Sequence, residues 1–371
     1  MKKIMAGLIL ILIIGVGVFV FYKNRGMISP LGSEKKTSKV KNNYRIVGFL
    51  PTWMVGKTIN YCDEVTEMVF LGLEIDAEGN LVKNVDYSRY TGDDYRKLAK
   101  KFSDCGGKNI LGVKLFEDEK IEMFLKNKEA RENFFRNLKD LKAERGFEGI
   151  NIDFEFQNDP LAILGDEMQV FLKELGRENL GKISLDVFAN TMVKGGPNLV
   201  NTLNKLDYLI VMAYDFHRPG MDYAGPVAPV GSPIGERNIW EVVEKVVSLG
   251  LPKEKIVMAY PLYGYEWKTE TIEYGSKVKR GWWALATYSR MKEMNLSSAD
   301  GQLFWDEKSM SPWWTYKSEG EIRQIYFENA ESLKRKFLMV KESGFGGVGF
   351  WALGYEGKDG EVWELLWKTL K

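Results

Sequence analysis

Histidine is almost missing from this 371-residue chain, with His217 the single example. Zinc hydrolases that gather several imidazoles, and triads that pivot on histidine, therefore have little to work with, and no Gly-x-Ser-x-Gly elbow occurs. No metal and no cofactor is expected. Net charge is missing as well: 52 Lys and Arg face 51 Asp and Glu, so no global field draws nucleic acid or an acidic polymer. A neutral polymer or a small molecule is the better-matched partner, and a monomer is expected. Cysteine is scarce too. Cys62 and Cys105 each sit just before a predicted strand, and two readings stand: a disulfide formed in an extracytoplasmic setting, or two buried free thiols.

Charge is absent locally from Ile4 to Tyr22, IMAGLILILIIGVGVFVFY. As a helix this run spans roughly 28 Å at about 1.5 Å per residue, close to the hydrocarbon thickness of a bilayer. Lys2 and Lys3 precede it and Lys23 and Arg25 follow, so the positive-inside count barely discriminates. No Ala-x-Ala-like cleavage site follows. An uncleaved signal anchor, with residues 1–3 as a cytoplasmic tip and the rest extracytoplasmic on the membrane, is favoured over a removed signal peptide and secretion. Residues 23–43 are rich in Lys, Ser, Gly and Asn and read as a solvated linker, and the folded part, 44–371, starts at Tyr44.

What is present is a core: 45% of residues are hydrophobic and 13% aromatic, ample for one large domain. Strands are predicted at Arg45 to Phe49, Glu67 to Leu71, Asn109 to Lys114, Gly149 to Phe154, Lys182 to Phe188, Tyr208 to Tyr214, Ile256 to Tyr260 and Gly347 to Trp351. Helical stripes lie between most of them. Phe134, Phe135, Leu138 and Leu141 repeat at helical spacing before Gly146; Ile239, Val242, Val243, Val246 and Val247 form another stripe, and Leu333, Phe337, Leu338 and Lys341 a third. Alternating strands and helices point to a closed (β/α)8 TIM barrel, with a small insertion between strand 7 and helix 7. Gly344, Gly346 and Gly349 spell G-x-G-x-x-G, but there the helix precedes the strand, the reverse of a dinucleotide site.

Within the predicted fourth strand, Ile150, Ile152 and Phe154 share one parity while Asn151, Asp153 and Glu155 share the other. An antiparallel edge strand could leave such acids wet. In a closed parallel barrel both faces are buried, and unpaired buried carboxylates cost several kcal/mol each. Acids at the C-terminal end of an inner row are therefore read as functional, with Glu155 reaching furthest into the mouth of the barrel.

The stretch EGINIDFE resembles the Asp-Gly-x-Asp-x-Asp-x-Glu signature of glycoside hydrolase family 18, the chitinase-like barrels. VGFLPTW on the first strand, VMAYDFH on the sixth and GGVGFWALGYE on the eighth fit in order and spacing. The resemblance implies hydrolysis of β-1,4-linked N-acetylglucosamine polysaccharide, peptidoglycan or chitin-like, by a substrate-assisted retaining mechanism through an oxazolinium intermediate. It casts Glu155 as general acid and base, Asp153 as the group that holds the acetamido N–H, and Tyr214 as donor to the acetamido oxygen. Asp215, Met212, Trp53 and Asn151 would line or brace the same sugar, with Trp351 as its floor. Of Trp267, Trp282, Trp283, Trp313 and Trp314, some should be sugar platforms and others core.

Three departures stand out. The first motif Asp is Glu148, off the inner parity and so structural. The middle Asp is Asn151, able to hydrogen-bond Asp153 but not to repel it or share its proton. On the third strand the family's Ser-x-Gly-Gly is replaced by GVKL, which leaves Lys114 without an assigned role. The Asn-containing motif, with WDEKSMSPWWTY and YFENAESL, looks like the bacterial branch that includes spore-cortex N-acetylglucosaminidases. A non-catalytic sugar-binding protein of the same fold is the alternative.

Overall fold

The computed structural model describes residues 44–58, 61–294, 296, 301–358 and 360–371. The apolar segment 4–22 and the linker 23–43 lie outside the described residues. Among the described residues, no helix is long and apolar enough to cross a membrane.

The strands are β1 (Arg45–Pro51), β2 (Glu67–Glu74), β3 (Lys108–Leu115), β4 (Gly149–Phe154), β5 (Lys182–Phe188), β6 (Tyr208–Met212), β7 (Ile256–Pro261), β8 (Tyr263–Thr269), β9 (Val278–Thr287), β10 (Gly301–Asp306), β11 (Ser311–Ser318), β12 (Glu321–Tyr326) and β13 (Gly347–Trp351). β1 to β7 and β13 close a parallel barrel in the order β1-β13-β7-β6-β5-β4-β3-β2, and these are the eight strands predicted from sequence. Closure comes from β13, which pairs in parallel with β1 at Val47↔Gly349 and with β7 at Gly349↔Ala259. The sixth strand ends at Met212, two residues before the predicted end, because Asp215 turns the chain away at φ 58°. Among the described residues between β1 and β2 there is no α-helix, only the single turn Thr52–Met54.

Residues of opposite parity build two separate cores. Ile150, Ile152 and Phe154 face outward into the layer between barrel and helices, where the Phe154 ring lies 5.8 Å from Phe124 and from Phe171. Phe134, Phe135, Leu138 and Leu141 of helix Lys128–Arg145 belong to that layer, and the helix is capped by the Asn127 side chain and ended by Gly146 at φ 69°. The inner core is made of Val47, Phe49, Val69, Leu71, Ile110, Tyr208, Ile210, Val257 and Ala259. Two stripe positions differ from expectation: Val247 is 56% exposed and Lys341 reaches the Thr369 carbonyl at 2.9 Å, while Lys336 is the lysine that faces inward, paired with Glu328 at 2.8 Å. Of the glycines in the G-x-G-x-x-G spelling, Gly344 ends helix Ala330–Ser343 at φ 72°, while a Cβ at Gly346 would stand 2.0 Å from the Glu254 carbonyl oxygen.

The insertion is a five-stranded antiparallel sheet in the order β10-β11-β12-β8-β9, placed between β7 and helix Ala330–Ser343. One face packs Tyr263, Tyr265, Trp267, Trp313 and Tyr326 together. Of the two readings for the cysteines the disulfide holds: Cys62 and Cys105 are bonded, with Cα atoms 5.6 Å apart.

Candidate active site

The C-terminal ends of the barrel strands open into a cleft of about 580 Å³, within the range of ligand sites. β4 brings two acids to it. Its register against β3 places Lys114 beside Asp153, and the Glu155 N–H donates to the Leu115 carbonyl at 3.0 Å, fixing the acid at the strand's exit. Beyond it, the Asp118 carboxylate accepts the N–H groups of Gln157 and Asn158 at 2.7 and 2.9 Å, which holds the following turn. Gln157 donates its side-chain amide to Glu155 at 3.1 Å.

From β6 come Met212 at the strand end, then Tyr214 and Asp215. Tyr263 and Tyr265 of β8 donate their hydroxyls to the same Asp215 oxygen, at 2.6 and 3.2 Å, so the insertion sheet braces this acid. Trp351 ends β13 and lies in the cleft with its ring 6.0 Å from Phe49 and 6.5 Å from Trp53, the latter half-exposed on the turn after β1. Glu155, Asp153, Tyr214, Asp215, Trp351, Met212 and Trp53, predicted from four separate segments, all line one cavity.

Asn151 does not line it. Its side chain is fully buried below the cleft and donates to Asp186 Oδ1 at 2.8 Å and to Ser184 at 3.1 Å, both on β5, so the expected bond to Asp153 is replaced by one to the neighbouring strand. Asp186 is a functional candidate that motif reading missed. A signal was available: in KISLDVF, Ser184 and Asp186 alternate with Ile183, Leu185 and Val187 as the acids of β4 alternate with their isoleucines. Glu148 is structural as expected, its carboxylate accepting the Asn109 N–H at 2.8 Å on the barrel's far end. Lys114 now has a partner in the cleft, Asp86, at 3.2 Å.

Burial raises the four central acids, Asp153, Glu155, Asp186 and Asp215, while hydrogen bonds from Thr52 and Lys114 outweigh it at Asp86 and hold that carboxyl low. Desolvation pushes Asp153 well above the usual carboxylate range, reinforced by Glu155 and Asp186 and opposed by Lys114. Asn151 therefore does not leave Asp153 free of like charge, because the neighbouring acid stands on β5 instead. Glu155 is raised by burial and by Asp215, against the Gln157 hydrogen bond and the Arg218 charge. Asp215 is raised by burial, with its two tyrosine bonds and Arg218 opposing. Burial first, then these carboxylates, holds the Tyr214 phenol neutral.

The tryptophans sort by exposure. Trp267, Trp313 and Trp314 pack inside the insertion, and Trp282 lies 4.3 Å under the Arg323 guanidinium. Trp283 is half-exposed with its ring edge-on to Tyr265 at 5.8 Å, and Trp53 is half-exposed in the wall of the cleft. Arg218, Arg237 and Tyr355 complete the walls.

The arrangement is a (β/α)8 barrel with raised-pKa carboxylates and aromatic side chains in its C-terminal mouth, the place where barrels of this class carry their active sites. The chain matches Glycosyl hydrolases family 18 over residues 45–356, and it belongs to that family. It is 29% identical over 252 residues to "Putative sporulation-specific glycosylase YdhD" of Bacillus subtilis (strain 168), across 64% of this chain and 54% of that protein. The spore cortex-lytic enzyme SleL of Bacillus megaterium QM B1551 shares the fold at TM-score 0.69 and 22% identity, with 92% of this chain and 79% of that one covered. The Group IV chitinase of Ostrinia furnacalis does so at TM-score 0.75 and 18% identity, with coverage of 88% and 99%. The match to YdhD thus spans about half the length of that relative.

Proposed function

We propose that the chain is a retaining glycosidase acting on β-1,4-linked N-acetylglucosamine glycans, with cell-wall peptidoglycan as the substrate. The observation that carries this reading is one cleft lined together by Asp153 near the end of β4, Glu155 just past it, Tyr214, Asp215 and Trp351. Glu155, whose pKa burial raises, donates its proton to the glycosidic oxygen as the bond breaks. The substrate's own acetamido oxygen attacks the anomeric carbon, so the protein needs no carboxylate nucleophile. Asp153 accepts the acetamido N–H and its charge offsets the positive oxazolinium, while the neutral Tyr214 hydroxyl donates to the acetamido oxygen. Glu155, now ionised, takes a proton from the water that opens the oxazolinium and is ready for the next cycle. The indole face of Trp351 suits the C–H face of the pyranose.

Peptidoglycan is favoured over chitin by the likeness to YdhD and SleL, proteins named for sporulation and the spore cortex. A non-catalytic sugar-binding protein would have no reason to keep Glu155, Asp153 and Tyr214 together in one pocket. An N-terminal membrane anchor at residues 4–22 would hold the enzyme on the outer side of the membrane, facing the wall. The test incubates the purified full chain and Glu155→Gln with peptidoglycan and with chitooligomers, and identifies the new reducing ends. The wild type is expected to release N-acetylglucosamine ends, and the variant to be slower by about 10²–10⁴. Absence of Glu155-dependent ends on both polymers overturns the reading.

A further inference from the structure

Register puts two carboxylates side by side at the base of the cleft. β4 and β5 pair Asn151 with Ser184 and Ile152 with Leu185, so the next residue on each strand, Asp153 and Asp186, stands at the same level on neighbouring strands roughly 5 Å apart. Ile152 and Leu185 belong to the outer core, and the two acids accordingly enter the barrel, each 3% exposed and each lining the cleft. On the far side of Asp153, Lys114 of β3 lies in register, but its ammonium is engaged by Asp86 at 3.2 Å. The other groups that bear on the two acids are Asn151 of β4, Glu155 just past its end, Ser184 of β5 and Tyr214 beyond β6. Tyr214 is neutral and Glu155 carries no positive charge in either form.

We infer that Asp186 is a positioning residue that holds one proton jointly with Asp153, the role of second carboxylate having passed from β4, where Asn151 stands, to β5. The inference rests on the glycosidase reading for its catalytic meaning. Two buried carboxylates at the same level of neighbouring strands, with the nearest cation already engaged, do not both ionise. Asn151 cannot take the proton; its amide instead donates to Asp186 Oδ1 at 2.8 Å and fixes that acid's orientation. Asp153 Oδ1 is a buried acceptor with no donor among the described residues, and a proton on the pair supplies one.

When the substrate's acetamido N–H reaches Asp153, that carboxylate has to accept, so it ionises and the shared proton stays on Asp186. Asp153 then carries the only negative charge of the pair while the oxazolinium forms. No proton leaves the pair in this step, and the one delivered to the leaving oxygen is that of Glu155. Asp186 acts through Asp153 and needs no contact with the sugar.

The test compares wild type, Asp186→Asn and the exchanged pair Asn151→Asp with Asp186→Asn, all as the full chain. The exchange keeps the amide–carboxylate bond and returns the acid to β4. Two readouts are taken: kcat/KM against pH on the polymer cleaved by the wild type, and a carboxyl ¹³C NMR titration without substrate. In the wild type Asp153 and Asp186 are expected to titrate in two coupled steps. In Asp186→Asn a single step for Asp153 should appear at lower pH, and the acidic limb of kcat/KM should move to lower pH with it, since the like charge is gone. The exchanged pair should restore both the second step and the limb. A merely structural Asp186 would lower activity at every pH without moving the limb. An unmoved limb in Asp186→Asn, or a single Asp153 step already in the wild type, overturns the inference. The titration needs no activity, so a protein that hydrolyses nothing yet shows the two steps sinks the glycosidase reading and leaves the shared proton standing.

Discussion

Glu356 offers the most quantitative test of how this barrel handles buried charge. Its side chain is buried five residues after Trp351, where Oε1 accepts the Tyr61 hydroxyl and Oε2 the Gly354 N–H, each at 2.7 Å. Burial pushes its pKa from the ordinary 4.5 to about 7, against the opposing hydrogen bonds. A proton held more tightly by the folded state stabilises the fold fully below pH 4.5, and the contribution fades as pH rises and is gone above about 7. At about 1.36 kcal/mol per pH unit, the interval from 4.5 to about 7 is worth roughly 3 kcal/mol.

Glu356→Gln keeps the shape, accepts the Gly354 N–H with its oxygen and turns its amide to the Tyr61 oxygen, but cannot ionise. Denaturant unfolding of both proteins from pH 4.5 to 8 should show the variant gaining on the wild type by roughly 3 kcal/mol across that range. Most of the change should fall below about pH 7. Subtracting one curve from the other removes the pH dependence that both share, including that of the cleft acids. A stability difference independent of pH would refute the reasoning and mean that Glu356 titrates alike in the folded and unfolded chains.

Two further outcomes follow from the same structure. The Cys62–Cys105 bond spans 43 residues, for which the chain-entropy estimate is about 4 kcal/mol, so the double Cys→Ser protein should unfold at a clearly lower denaturant concentration, and a reductant should bring the wild type to the same midpoint. Identical midpoints for oxidised and reduced wild type would contradict this. Arg218 holds the Glu155 pKa down, so Arg218→Gln should raise it and carry the basic limb of kcat/KM to higher pH, where general acid is otherwise lost; a basic limb that stays in place or moves down would show that Arg218 does not act on Glu155.

Much of the site was legible in the order of residues because parity along a strand is a local property. Ile150, Ile152 and Phe154 against Asn151, Asp153 and Glu155 gave the two faces of β4, and burial of both followed from counting strands and helices. Asp186 carried the same alternation on β5 yet was passed over, since motif reading attends to one segment at a time. Trp283 and Trp313 are alike as letters; only the pairing of β8 with β9 and of β11 with β12 leaves one open and closes the other into the stack with Tyr326.

The eight barrel strands, the acids at the end of the fourth and the aromatic end of the last are determined by sequence, because periodicity, glycine breaks and a short motif act over a few residues. Tertiary structure alone decided which groups stand next to which across strands. It sent the Asn151 amide to Asp186, tied Lys114 to Asp86, braced Asp215 with Tyr263 and Tyr265, and joined Cys62 to Cys105. Those contacts depend on register and closure, which fix distances between residues far apart in the chain, and the energies that shift the carboxylates depend on those distances and on burial.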